Sequence, residues 1–167
     1  HNWRQTTVTM AARNFYEIDS NIFHPRIDIA GEKPGITGME FPLLNYLIYL
    51  VSLVFGYTHW YGRLINLVVS SIGIWFFYRI LKMFFSRKTA LYAGLVVLFS
   101  IWFAYSRKIM PDSFATSLVL MGVFYGLKYF YRQNKSKYLV LYVLFGMAGI
   151  LSKLPAAILL SIFVFPV

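Results

Sequence analysis

The chain has 167 residues, of which 59% are hydrophobic, 20% aromatic and only 13% charged, with 16 Lys and Arg against six Asp and Glu. A soluble globular domain carries roughly 25% charged residues, so there is too little polar surface here for a water-soluble enzyme, and an integral membrane protein is expected. The formal charge of +10 does not indicate nucleic acid, which needs a basic stripe on a soluble face, and the absence of cysteine excludes disulfides and thiolate metal sites.

Residues 1–40 are polar, with turn chemistry at Gly31, Pro34, Gly35 and Gly38. Five of the six acids (Glu17, Asp19, Asp28, Glu32, Glu40) lie in this stretch, and Asp112 is the only carboxylate afterwards. Residues 6–16 lack Gly and Pro and predict a helix. Arg4 lies near its start and Arg13 about two and a half turns later, on the opposite side. Residues 24–38 read as loop. The chain begins without an initiator Met and stops inside an apolar run, so we expect a piece of a longer polytopic protein, truncated at both ends.

Residues 41–56 form the first apolar run, opened by Phe41-Pro42, a good helix start. As a helix they span about 24 Å, short of the roughly 30 Å hydrocarbon core. Tyr46, Tyr49, Tyr57, Trp60 and Tyr61 favour the interface, so an interfacial or re-entrant helix is expected. From residue 57 onward the expected membrane helices cover about 60–85, 89–106, 113–132, 138–152 and 154–167.

Two cation clusters separate these helices: Arg79, Lys82, Arg87 and Lys88, then Lys128, Arg132, Lys135 and Lys137. Excess Lys and Arg marks cytoplasmic loops, and the two spans between the clusters give the required parity. Residues 1–40, the 107–113 loop and Lys153 then share the extracytoplasmic face. Asn134-Lys135-Ser136 has the form of a glycosylation sequon but falls on the cytoplasmic side, so it is expected to stay unmodified. The expected fold is an all-α integral membrane helix bundle with an extracytoplasmic N-terminal loop and an interfacial helix, placed in a bacterial inner membrane.

Three isolated charges carry the chemistry. Asp112 stands between two apolar segments, where ionisable groups are costly and usually functional or paired, although Asp112 or Ser113 would also serve as a helix cap. Glu40 sits where the polar loop meets the interfacial helix; it suits a first-turn acid, a metal ligand or a proton acceptor. Lys153 is the only charged residue after Lys137 and suits a phosphate partner, or simple snorkelling at the interface. Arg4, Arg13, Arg107 and Lys108 add possible charge-assisted bonds to phosphate. His1, His24 and His59 have no metal-ligand spacing, and there is no P-loop, dinucleotide fingerprint or GxSxG. Sparse carboxylates and cations at one water–lipid boundary suit transfer from a polyprenyl-phosphate donor. An acid or a divalent metal would activate the acceptor, and cations would stabilise the leaving phosphate.

The residues also resemble a known family. His1-Asn2-Trp3-Arg4-Gln5, Ala12-Arg13-Asn14-Phe15-Tyr16, Pro25-Arg26-Ile27-Asp28 and Met39-Glu40-Phe41-Pro42 look like the opening loop of GT-C membrane glycosyltransferases. The branch is the one related to dolichyl-phosphate-mannose protein mannosyltransferases and lipid A aminoarabinose transferases. Met110-Pro111-Asp112-Ser113 and Leu151-Ser152-Lys153-Leu154-Pro155 continue the resemblance in order. It implies a polyprenyl-phosphate-linked sugar donor and a site on the extracytoplasmic face. It also implies metal or substrate roles for Glu40 and Asp112 and a donor-phosphate role for Lys153. From the residues we expect Glu40 and Asp112 to act as acid/base or metal ligands, and Arg4, Gln5, Arg13, Lys108 and Lys153 to contact the phosphate or sugar. Thr7 departs from the family pattern, standing where similar sequences often carry Asp after the Trp-Arg-Gln motif, and Phe41 stands where some relatives have lysine. The alternatives are a transporter or channel with Asp112 and Lys153 as pathway charges, or a catalytically inactive relative.

Overall fold

The computed structural model describes residues 2–29, 31, 33–38 and 40–163. Its helices are α1 (Asn2–Glu17), α2 (Leu43–Phe55), α3 (Tyr61–Phe84), α4 (Arg87–Leu98), α5 (Ile101–Tyr105), α6 (Pro111–Tyr131) and α7 (Ser136–Ser152), followed by a 3-10 helix over Leu154–Phe163. Among the described residues there is no strand; an isolated bridge pairs Arg26 with Ile36.

Helix α6 is the axis of the bundle, with twelve of its 21 residues buried. Helix α3 runs parallel to it: Asn66 bonds Ser113, Gly73 meets Ser117, and the Phe76 ring packs on Phe124 at 5.1 Å. A Cβ on Gly73 would lie 2.6 Å from Ser117 Cβ, so only glycine lets α3 come this close. Helix α7 runs antiparallel to α6, with Gly149 against Ala115 and Val119, and Gly122 against Gly146. Small residues at a contact are the usual way for helices to pack where lipid offers no hydrophobic driving force.

By length and composition α3 and α6 can cross a membrane. Val68 and Ile72 on α3, Leu91 and Val96 on α4, and Leu144 and Met147 on α7 are exposed. Exposed apolar residues on three helices suit a lipid-facing surface, since large apolar patches are rare on soluble monomers.

Three expectations are corrected. Residues 89–106 do not form one helix: α4 ends at Leu98 and a break at Phe99-Ser100 precedes α5. Ser100 donates to the Val97 carbonyl (2.6 Å) and accepts from the Phe103 amide (3.5 Å), the local competition by which serine interrupts a helix. Neither Asp112 nor Ser113 caps α6. Pro111 occupies the first turn after an extended Met110, which leaves Asp112 as a first-turn acid favoured by the helix dipole. The expected helix over 154–167 is 3-10 across its described part; its first turn closes with Ala156 N–H to the Lys153 carbonyl (3.0 Å), the tighter i→i+3 pattern. Residues 164–167 lie outside the described residues.

The N-terminal region packs on one end of this bundle. Helix α1 starts before the expected 6–16 and buries Val8, Ala12 and Phe15. Phe15 meets Tyr46 of α2 edge-on at 5.7 Å, and the Asn45 amide donates to the Val8 carbonyl (3.2 Å). The following loop folds back on itself through Ile27 N–H to Gly35 O and Thr37 N–H to Pro25 O, both 3.0 Å. The positive φ of Gly35 (74°) makes that reversal possible.

Candidate functional site

Four distant segments meet at the end of the bundle where α6 begins. Glu40 is brought there because the Phe41 amide donates to the Leu151 carbonyl (3.1 Å), which fastens the loop beside the end of α7. Lys153 follows that end directly, and its ammonium donates to Glu40 Oε1. Asp112 Oδ1 lies 3.9 Å from the same ammonium, and Arg4 of α1 reaches Asp112 Oδ2 at 3.4 Å. The result is a chain of alternating charge: Arg4, Asp112, Lys153, Glu40. The Lys153 side chain is 10% exposed, against 44% for Glu40 and 51% for Asp112. A nearly buried ammonium needs an anion, whereas the carboxylates keep one side open to an incoming group.

The 106–110 loop and the first turn of α6, which presents Asp112, are held from α3. Asn66 is fully buried, and its amide donates to the Lys108 carbonyl (2.7 Å) and to Ser113 Oγ (3.0 Å). Sequence reasoning missed this residue; its signal was the one side-chain amide in α3.

Two clefts open on the cluster. One, of about 690 Å³, is lined by Arg4, Thr7, Ile27, Thr37, Glu40 and Pro111 among others. The other, of about 340 Å³, is lined by Arg4, Trp102, Tyr105, Met110, Asp112 and Ser113. Arg4 is common to both. Trp102 also joins the second cleft to an apolar groove of about 270 Å³ between α3, α4 and α6, which includes Ile74, Val97, Ser100 and Leu120. The α4–α5 break lies on this groove.

Of the residues expected in the site, Glu40, Asp112, Lys153 and Arg4 come together; Gln5, Arg13 and Lys108 do not join them. Gln5 lines neither cleft. Arg13 is turned to the loop, where it donates to Asp28 and pairs with Glu17 at 3.5 Å. The Lys108 ammonium rests 5.1 Å above the Tyr105 ring.

Asp28 is buttressed on that other face of α1. The Asn14 amide donates to it at 2.9 Å and the Arg13 guanidinium adds its charge, and together they hold its carboxyl below the ordinary value against the opposing effect of burial. Burial pushes the Tyr57 hydroxyl up; it donates to the Thr9 carbonyl at 3.2 Å and so ties the end of α2 to α1.

Glu40 and Asp112 offer the hard oxygen donors that a divalent ion takes. The Lys153 ammonium already lies between them, however, and no third His, Asp or Glu gathers with them among the described residues. This donor set does not fit a divalent ion as it stands, and the lysine provides the positive charge at that point.

The family model described as dolichyl-phosphate-mannose-protein mannosyltransferase matches residues 33–166, a range that contains Glu40, Asp112 and Lys153 and leaves out α1. Neither a curated protein nor a solved structure matches the chain. With most of its length covered by that model, the chain belongs to the dolichyl-phosphate-mannose-protein mannosyltransferase family, membrane glycosyltransferases of the GT-C kind.

Proposed function

We propose that this protein transfers a sugar from a polyprenyl-phosphate donor to an extracytoplasmic acceptor, with the Arg4–Asp112–Lys153–Glu40 cluster as the reacting centre. One observation carries the reading: four charged residues from distant parts of the sequence, of which Asp112 and Lys153 stand alone among apolar segments, converge beside two open clefts.

The steps follow from charge. A donor phosphate arriving from the bilayer competes with Glu40 for the Lys153 ammonium and frees the carboxylate. The acceptor hydroxyl then attacks the anomeric carbon as the bond from that carbon to the phosphate oxygen breaks. Its proton passes to Glu40 or Asp112. The phosphate departs with the bonding electron pair, and its developing charge is met by Lys153 and Arg4. The apolar groove past Trp102 suits the prenyl chain, leaving the larger cleft beside Glu40 for sugar and acceptor. Ionisable groups at helix ends rather than mid-span also fit a fixed interfacial site better than a transport pathway.

Transfer by the full-length protein, reconstituted with polyprenyl-phosphate sugars, tests the reading. Glu40→Gln and Asp112→Asn should each lower turnover by about 100-fold or more while the protein still folds. Wild-type turnover in both variants would refute it.

A further inference from the structure

The opposite end of the bundle holds a second cluster of different character. Arg79 and Lys82 near the end of α3 and Lys128 and Arg132 at the end of α6 line a cleft of about 420 Å³ together with Trp75, Tyr78 and Phe124. Sixteen residues along α6 separate Lys128 from Asp112, about 24 Å of helix, so this cleft is remote from the reacting centre. The Arg79 guanidinium lies 4.9 Å from the Trp75 ring centre and 5.3 Å from that of Phe124. Lys128 sits 5.1 Å from the Phe124 ring and 5.0 Å from that of Tyr138. Among the described residues none of the four cations has a carboxylate partner, and Asp112 is the only acid in the sequence after Glu40.

A topology signal requires only positive charge near a membrane boundary. It does not require two half-buried cations held on aromatic faces inside a cleft between two helices, flanked by two exposed ones. Aromatic faces restrain Arg79 and Lys128 without neutralising them, which leaves their donors for an oxygen-rich anion. We propose that this cleft binds a phosphate group, with Arg79 and Lys128 as the inner contacts and Lys82 and Arg132 at the mouth. Basic pockets between membrane helices take acidic lipid headgroups in this way, and a soluble phosphate presents the same chemistry.

The test uses full-length protein. In the lipid arm, the protein is equilibrated with phosphatidylcholine vesicles containing a minor share of phosphatidylglycerol, and retained lipid is read by native mass spectrometry. In the soluble arm, thermal stabilisation by inorganic phosphate and pyrophosphate is measured in neutral detergent. Preferential retention of phosphatidylglycerol without soluble stabilisation identifies a headgroup site; the reverse identifies a free-phosphate site. Either result supports the cleft provided that Arg79→Gln with Lys128→Gln weakens it by at least about fivefold while Arg87→Gln with Lys88→Gln, at the same end but outside the cleft, does not. Lys82→Gln with Arg132→Gln, both exposed, supplies the same comparison if the inner pair fails to fold. No preference in either arm, or equal loss from the cleft pairs and the Arg87/Lys88 pair, overturns the proposal.

Discussion

The two ends of the bundle use the same side chains for opposite purposes. Where α6 begins, Lys153 and Arg4 are interleaved with Glu40 and Asp112, and each charge has a partner of the other sign. Where α6 ends, Arg79, Lys82, Lys128 and Arg132 have aromatic rings or open space instead. Lys and Arg are therefore uninformative as residue types in this chain. The placement of a few carboxylates decides which cations are paired and which present bare charge.

The largest effects are expected at the paired end. Lys153→Ala leaves Glu40 and Asp112 facing each other without a cation between them. We expect transfer to fall by about 100- to 1,000-fold, the loss typical of removing one preorganised stabiliser of a leaving oxyanion, measured as kcat/KM on a polyprenyl-phosphate sugar. Asn66→Ala acts one step removed. It strips the hydrogen bonds from the Lys108 carbonyl and Ser113 while leaving every charge in place, so kcat should fall by about tenfold, and unfolding should become easier by about 1–3 kcal/mol in a denaturant titration. Gly73→Val should destabilise by a similar amount by forcing α3 off α6, whichever end is assayed.

Trp102→Ala sharpens the comparison from the lipid side. It should raise KM for a long-chain donor while barely changing it for a short-chain analogue, because only the long chain fills the groove along α4.

The smallest effect concerns the loop behind the centre. The Asp28 carboxyl is held below its ordinary value in the folded chain, so folding favours its charged form. The stability it contributes is fully present above the unfolded carboxylate value and is lost as pH falls through the lower folded value. Asp28→Asn should therefore loosen residues 18–38 at neutral pH, and the difference from wild type should vanish in acid. Amide hydrogen exchange of that loop at both pH values reads it directly.

The sequence shows much of this arrangement because the chain is so poor in charge. In an apolar background Asp112 and Lys153 stand out, and a solitary ion beside a bilayer needs a partner, so their proximity could be anticipated. Arg4 and Arg13 were equally visible on one helix, yet half a turn of phase sends the first to Asp112 and the second to Asp28. Helical phase told the two faces apart but not which face meets the bundle. The α4–α5 break was hidden because an apolar run reads the same whether or not Ser100 takes over its local backbone bonds. Asn66, Asn45 and Asn14 were missed for a related reason: their work is to satisfy carbonyls of segments remote in sequence.

Sidedness is the most direct test, and these 167 residues contain no cysteine to compete for a label. Single cysteines at the exposed positions Ser20, Arg107, Lys88 and Lys135 can be labelled in intact cells with a membrane-impermeant thiol reagent. Positions 20 and 107 should react from outside, while 88 and 135 should react only after the membrane is opened. Positions 20 and 107 reacting from opposite sides would contradict the proposed transfer, because Arg4, Glu40 and Asp112 would then have no common boundary at which to meet a lipid-borne phosphate.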